Sequence, residues 1–281
     1  MIEPKLQYYQ MGDGVTAFSS TRHGGYSKGN YAEFNINHFC GDDEQAISQN
    51  REALCRLLGI NSDRLLMPHQ VHQTEIAVVD EGLLGLLPEE RCEKLDGIDA
   101  LMTNIAGLCI GVSTADCTPV LLYDPVQQAI CAIHAGWRGT VQRIVEKAVK
   151  KMVAVYDTLP CDLIAQIGPG ISLDSFEVGD EVYDAFAKEG FPMELISKKY
   201  PCNDGGSQFF TLHSSLFTSK WHIDLPECNR WQLLSMGIPS DHIAVSPVCT
   251  FLQLDTFFSA RRLGINSGRI FSGIQLNPKC P

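Results

Sequence analysis

Soft-metal ligands stand at three breaks in otherwise apolar runs of this sequence. His69-Gln70-Val71-His72 places two imidazoles three residues apart. In a strand or loop, positions three apart point to opposite faces, so both rings would not serve one metal. Cys117 closes Thr114-Ala115-Asp116-Cys117, a polar break between the apolar runs Leu108 to Ser113 and Val120 to Tyr123. His134 follows the run Ala129 to Ile133 and precedes Gly136 and Gly139, which let a ligand approach the backbone closely. Two histidines and one cysteinate suit zinc, and three protein ligands leave the fourth tetrahedral position open for chemistry. Their spacing alone does not bring them together. Taken singly, each is read first as a core thiol or a hydrogen-bonded histidine. A metal-free hydrolase with Cys117 as nucleophile and His134 as base is a further reading.

Supporting groups lie nearby. Asp96 or Asp99, in Asp96-Gly97-Ile98-Asp99, could orient a ligand histidine from behind. For Asp96, beside a glycine, an Asx-turn explains the residue equally well. Arg22, Arg51, Arg138, Arg261 and Arg262 flank loops rather than a solvated helix face. Guanidinium groups suit phosphate oxyanions, although each alone reads as a surface or structural arginine.

The elements that must position these groups follow from periodicity. Gly14 to Ser20 reads as a strand leading into the turn-rich Thr21-Arg22-His23-Gly24-Gly25, and Glu75 to Val79 as a strand after the histidine loop. Asp43 to Leu58 reads as a helix, with Ile47, Leu54, Leu57 and Leu58 on one face. The run ending at His134 feeds a glycine-rich loop. Thr140 then caps an expected helix to about Tyr156, with Val141, Ile144, Val145, Ala148, Met152 and Val153 at helical spacing. Ligands gather at such strand ends in α/β proteins. Leu163 to Ile167 reads as a strand, and Glu181 to Lys188 and Pro226 to Met236 as helices. No repeat, low-complexity tract or long linker divides the chain. The expectation is a single α/β (α+β) domain over residues 1–281, with a central mixed sheet flanked by helices.

Composition narrows the partners. With 44% hydrophobic and 20% charged residues, the 281-residue chain has the make-up of an ordinary globular protein. A formal net charge of −11 disfavours nucleic acid, which needs a concentrated basic surface. No apolar stretch is long enough to span a bilayer, and the N-terminus lacks a signal-peptide pattern, so the expected location is the cytoplasm. Eleven cysteines without regular spacing do not make a disulfide scaffold. Cys55, Cys109, Cys131 and Cys161 are expected to be buried apolar thiols.

The motifs together resemble the YfiH-like family, whose members are described as polyphenol oxidoreductases (laccases) or as purine nucleoside phosphorylases with adenosine deaminase activity. The matching segments include Thr21-Arg22-His23-Gly24-Gly25-Tyr26-Ser27, Phe34-Asn35-Ile36-Asn37, Gly41-Asp42-Asp43, Gln70-Val71-His72, Ala115-Asp116-Cys117-Thr118-Pro119-Val120, His134-Ala135-Gly136-Trp137-Arg138-Gly139 and Phe257-Phe258-Ser259-Ala260-Arg261-Arg262. The resemblance implies a zinc on His72, Cys117 and His134, and so selects His72 over His69. It departs at Gly170, where many members have cysteine, at Gln73 for a usual glycine, and at Ala260 for a usual tyrosine.

The two activities can be weighed on residues. A multicopper oxidase needs a blue copper and a three-copper cluster, hence many histidines, typically in His-x-His pairs. This chain has eight histidines and no His-x-His. One metal on a thiolate site cannot gather the electrons that reduce dioxygen to water, so copper is the less expected ion. An open zinc site suits hydrolysis and group transfer. The expectation is phosphorolysis of purine nucleosides with adenosine deamination beside it. Arg22 and Arg138 are the candidates for phosphate, with Asn35 and Asp42 as further lining residues.

Overall fold

The computed structural model describes residues 2–201 and 219–278. Its strands, in chain order, are β1 (Leu6–Tyr9), β2 (Val15–Ser20), β3 (Leu65–Leu66), β4 (Ile76–Val78), β5 (Ala100–Thr103), β6 (Cys109–Thr114), β7 (Thr118–Asp124), β8 (Ala129–Ala135), β9 (Ile164–Ile167), β10 (Glu177–Val178), β11 (Ser197–Pro201), β12 (Ser219–Ile223), β13 (Ile243–Val245) and β14 (Ile270–Leu276). The layered α/β domain with mixed pairing is as expected, but the main strands form two stacked sheets rather than one central sheet. One is five-stranded, in the order β1-β2-β14-β6-β3, and the other six-stranded, in the order β13-β9-β7-β8-β5-β4. A small antiparallel sheet, β10-β12-β11, packs with the helix Asp180–Lys188 around Phe186 and Ile223.

Alternation along the strands explains the stacking. On β8, Ala129, Cys131 and Ile133 face the helix Ile144–Tyr156, while Ile130 and Ala132 face the other sheet. There they meet Ile110 and Val112 of β6 and Ile274 of β14. The helix Glu44–Leu58 covers the outer face of the five-stranded sheet, where Leu54 meets Phe18 and Phe271. The layers therefore run helix, sheet, sheet, helix. Strands buried on both faces read in sequence as unbroken apolar runs, so the sequence could not divide them between two sheets. Each large aliphatic side chain buried this way contributes roughly 1.5–3 kcal/mol.

The helix Glu44–Leu58 begins where Asp43 accepts a hydrogen bond from the Ala46 amide at 2.8 Å, and ends at Gly59 with φ 66°. The expected long helix after His134 is instead two, Trp137–Val141 and Ile144–Tyr156. Arg143, with φ 64°, breaks it. Its guanidinium donates to Glu189 O and lies over the rings of Phe191 and Trp231. Thr140 lies inside the first helix, buried, and caps neither. Among the described residues, no helix is long and apolar enough to cross a membrane.

Candidate metal centre

The polar break at Thr114 to Cys117 is where the chain passes from one sheet to the other. β6 ends in the five-stranded sheet, β7 starts in the six-stranded sheet, and Cys117 sits on the turn between them. Asp116 there has φ 88°, and its carboxylate accepts from Thr250 Oγ1 and from the Arg261 amide, both at 2.7 Å. Those bonds hold a backbone conformation that a non-glycine residue rarely adopts.

His134 lies near the end of β8, opposite Pro119 of β7 and so beside the start of that turn. His72 comes from the loop before β4, with φ 62°. The ligand atoms of His72, Cys117 and His134 all lie within 4.8 Å of one another. A side chain at Gly136 would place its Cβ 3.0 Å from both Cys117 Sγ and His72 Cδ2. Any larger residue at Gly136 would therefore crowd both the Cys117 thiol and the His72 ring.

One buried carboxylate organises the ring of His134 and the backbone of the loop that carries His72. His134 Nδ1 donates to Asp99 Oδ1 at 2.7 Å, which leaves Nε2 for the centre. The amides of Val71, His72 and Gln73 donate to the same carboxylate at 3.3, 3.0 and 2.7 Å. The second aspartate takes the other histidine, since Asp96 Oδ1 accepts from His69 Nδ1 at 2.6 Å. His69 stands outside the ligand group.

The electrostatics follow from this geometry. Burial alone would push the Cys117 thiol up, but the imidazoles of His134 and His72 outweigh it and bring its pKa down to about 6. Burial likewise opposes charge on His134, and Cys117 and Asp99 reverse that, to about 9. Burial opposes charge on Asp99 too, yet hydrogen bonds from His134 and the loop amides hold it below the ordinary carboxylate range. Cys109 and Cys131, without such neighbours, are pushed up by burial. Cys55, Cys109 and Cys131 are the buried thiols expected, whereas Cys161 is exposed, on the short turn Pro160–Asp162. Cys202 and Cys280 lie outside the described residues.

The centre opens into a cavity of about 290 Å³ lined among others by Asn37, Phe39, Gln70, Thr114 and Arg269. Sequence reasoning singled out none of these five as site residues. Asn37 and Gln70 belong to segments that carried the family resemblance, so a signal existed for them; Phe39 and Arg269 had none. Gln70 mimics a strand partner, donating through Nε2 to Ser113 O at 2.8 Å and accepting from the Ser113 amide at 2.7 Å.

The other expected site residues stand back from this lining. Arg22 donates to Ala32 O and Leu254 O at 2.8 and 2.9 Å and lies over the Phe258 ring. Arg138 is exposed on the helix after Gly136, over Trp137. Asn35 is fully buried and donates to Asp42 at 2.9 Å, and Asp42 also accepts from Ser27 Oγ at 2.6 Å. This pair braces the loop that delivers Asn37 and Phe39.

Two stacked sheets between helices, with a His/Cys/His group where the chain crosses from one sheet to the other, define an α/β protein with a site whose three side chains could hold a metal ion. Residues 16–277 match the model of the multi-copper polyphenol oxidoreductase laccase family, and the chain belongs to that family. It is 44% identical to a purine nucleoside phosphorylase of Bacteroides thetaiotaomicron, over 94% of this chain and 92% of that one. It is 40% identical to adenosine deaminase RL5 of an unknown prokaryotic organism, over 98% and 99%. The crystal structure of the protein YfiH of Bacillus licheniformis matches with a TM-score of 0.85 and 29% identity, covering 98% of this chain and 97% of that one.

Proposed function

We propose that this chain is a cytoplasmic zinc enzyme that cleaves purine nucleosides with phosphate, giving free base and ribose 1-phosphate, and deaminates adenosine beside that reaction. The observation that carries it is the His72/Cys117/His134 group facing a cavity, with one buried carboxylate behind the His134 ring and the backbone of His72. The names of the two relatives supply the substrate class. Phosphorolysis breaks the bond from the anomeric carbon to the base, forms one to a phosphate oxygen, and returns a proton to the base. No electron changes hands. Phenol oxidation by dioxygen needs several coppers. His72, Cys117 and His134 are the one His/Cys/carboxylate group of metal-binding geometry among the described residues, and His213 lies outside them.

The donor set fits zinc: one thiol already drawn toward thiolate, and two imidazoles, one with its far nitrogen held by a carboxylate. A zinc ion held there supplies Lewis acidity at neutral pH. The chain's own residues do the rest. Asp99 fixes the tautomer of His134 and the loop of His72. Arg269, half-buried in the lining, joins Arg22 and Arg138 as a candidate cation for phosphate, with its guanidinium also donating to the carbonyls of Ile265, Ser267 and Gly268.

Metal analysis of purified variants tests the reading. Wild type should carry close to one zinc per chain, His72→Ala should lose it, and His69→Ala should keep it. Copper in several-fold excess over zinc, in protein never exposed to added copper, would contradict it.

A further inference from the structure

Phe39 is an apolar ring left 52% exposed beside the metal centre, yet it is held firmly. Its amide donates to Asn37 Oδ1 at 2.6 Å, and Asn37 Nδ2 donates to Ser113 Oγ at 2.5 Å, tying the loop to the end of β6. Its ring stacks on His69, with centroids 4.2 Å apart and planes 28° from parallel. His69 is fixed in turn. Its ring donates to Asp96, its amide donates to Leu95 O at 3.0 Å, and its carbonyl accepts from the Gly97 amide at 3.0 Å.

This pair does not fill a core. It lines the metal cavity on one side and a second cavity, of about 360 Å³, on the other. Fixing an exposed aromatic ring costs side-chain entropy and leaves apolar surface in water. A flat aromatic ligand laid against it would recover both, because the ring needs no further ordering to stack. His69 is also the histidine that the metal does not use.

We propose that the stacked Phe39–His69 pair is the platform for the purine base, with Phe39 as the residue that sets base affinity and His69 as its backing. This rests on the nucleoside reading above. The base would lie against the pair, and the ribose would reach toward the centre and Arg269.

The test is steady-state kinetics on the zinc-loaded enzyme, with adenosine and phosphate varied separately. Phe39→Ala should raise KM for adenosine about tenfold, the scale of one lost base–aromatic stack. KM for phosphate and zinc per chain should stay at wild-type values. Phe39→Trp should restore the adenosine KM, and His69→Ala should raise it by a smaller factor while keeping zinc. An unchanged adenosine KM in Phe39→Ala, beside a wild type that cleaves adenosine, overturns the platform alone. Equal rises in both KM values overturn it too, since they would mean a displaced loop. A wild type that yields neither base nor inosine removes the nucleoside reading and the platform with it.

Discussion

Cys117→Ala is expected to release the metal and to lower turnover of adenosine on the order of a thousandfold or more, the several kcal/mol that a catalytic metal supplies. The thiol is the one anionic ligand of the three, and its two imidazole neighbours draw it toward thiolate at neutral pH. Without it, only the two imidazoles remain, a much weaker site. The fold should survive, because Cys117 sits on a turn at the margin of both sheets and alanine leaves the strand pairing untouched. Added zinc should then no longer raise the melting temperature, as it does when it binds the native state alone. Zinc per chain, turnover and melting with and without added zinc measure all three effects. A variant that keeps its zinc, or its activity, would show that Cys117 is not a ligand.

Substitution at Asp99 should produce the largest loss of stability. The carboxylate is fully buried and accepts from one imidazole and three consecutive amides. Asp99→Ala leaves the buried His134 ring nitrogen and three amides of the exposed loop without their acceptor and is expected to cost roughly 3–5 kcal/mol, the range for breaking a buried charged network. Asp99→Asn keeps the volume and one acceptor, but turns an amide group toward donors. It should fold and bind zinc about 10–100-fold more weakly, the usual effect of losing a carboxylate behind a ligand histidine. Denaturant unfolding of the first variant and competitive zinc titration of the second are the measurements. Wild-type zinc affinity in Asp99→Asn would mean that the carboxylate serves the fold and leaves the metal untouched.

Much of this was legible in the residues. The helix Glu44–Leu58 carried its cap, its apolar stripe and its terminal glycine in the sequence, and the observed bounds fall within a residue of the expected ones. The break at Cys117 and the glycine after His134 were visible as interruptions of apolar runs. Convergence of the three candidate ligands from distant segments was not, because spacing carries no information about which strand ends meet; the family resemblance supplied it. The split into two sheets was hidden, since a strand covered on both faces shows no alternation of apolar and polar residues. The arginines could not be ranked from sequence for a related reason. Charge and a neighbouring glycine look the same whether a guanidinium faces a cavity or, as with Arg22, is spent on the carbonyls of Ala32 and Leu254. Phe39 was invisible because an aromatic residue in a loop announces neither burial nor exposure.

The most direct test of the central claim, a single metal centre that breaks nucleosides and leaves phenols alone, is one incubation resolved by chromatography. Pure enzyme is given adenosine with and without phosphate, beside a Cys117→Ala control, and adenine, hypoxanthine and inosine are separated. The expected result is free base that appears with phosphate, some inosine in both samples, and neither above background in the control. Absence of base and inosine from the wild type, together with oxidation of a phenolic substrate at a useful rate, would contradict the account and return the oxidase reading.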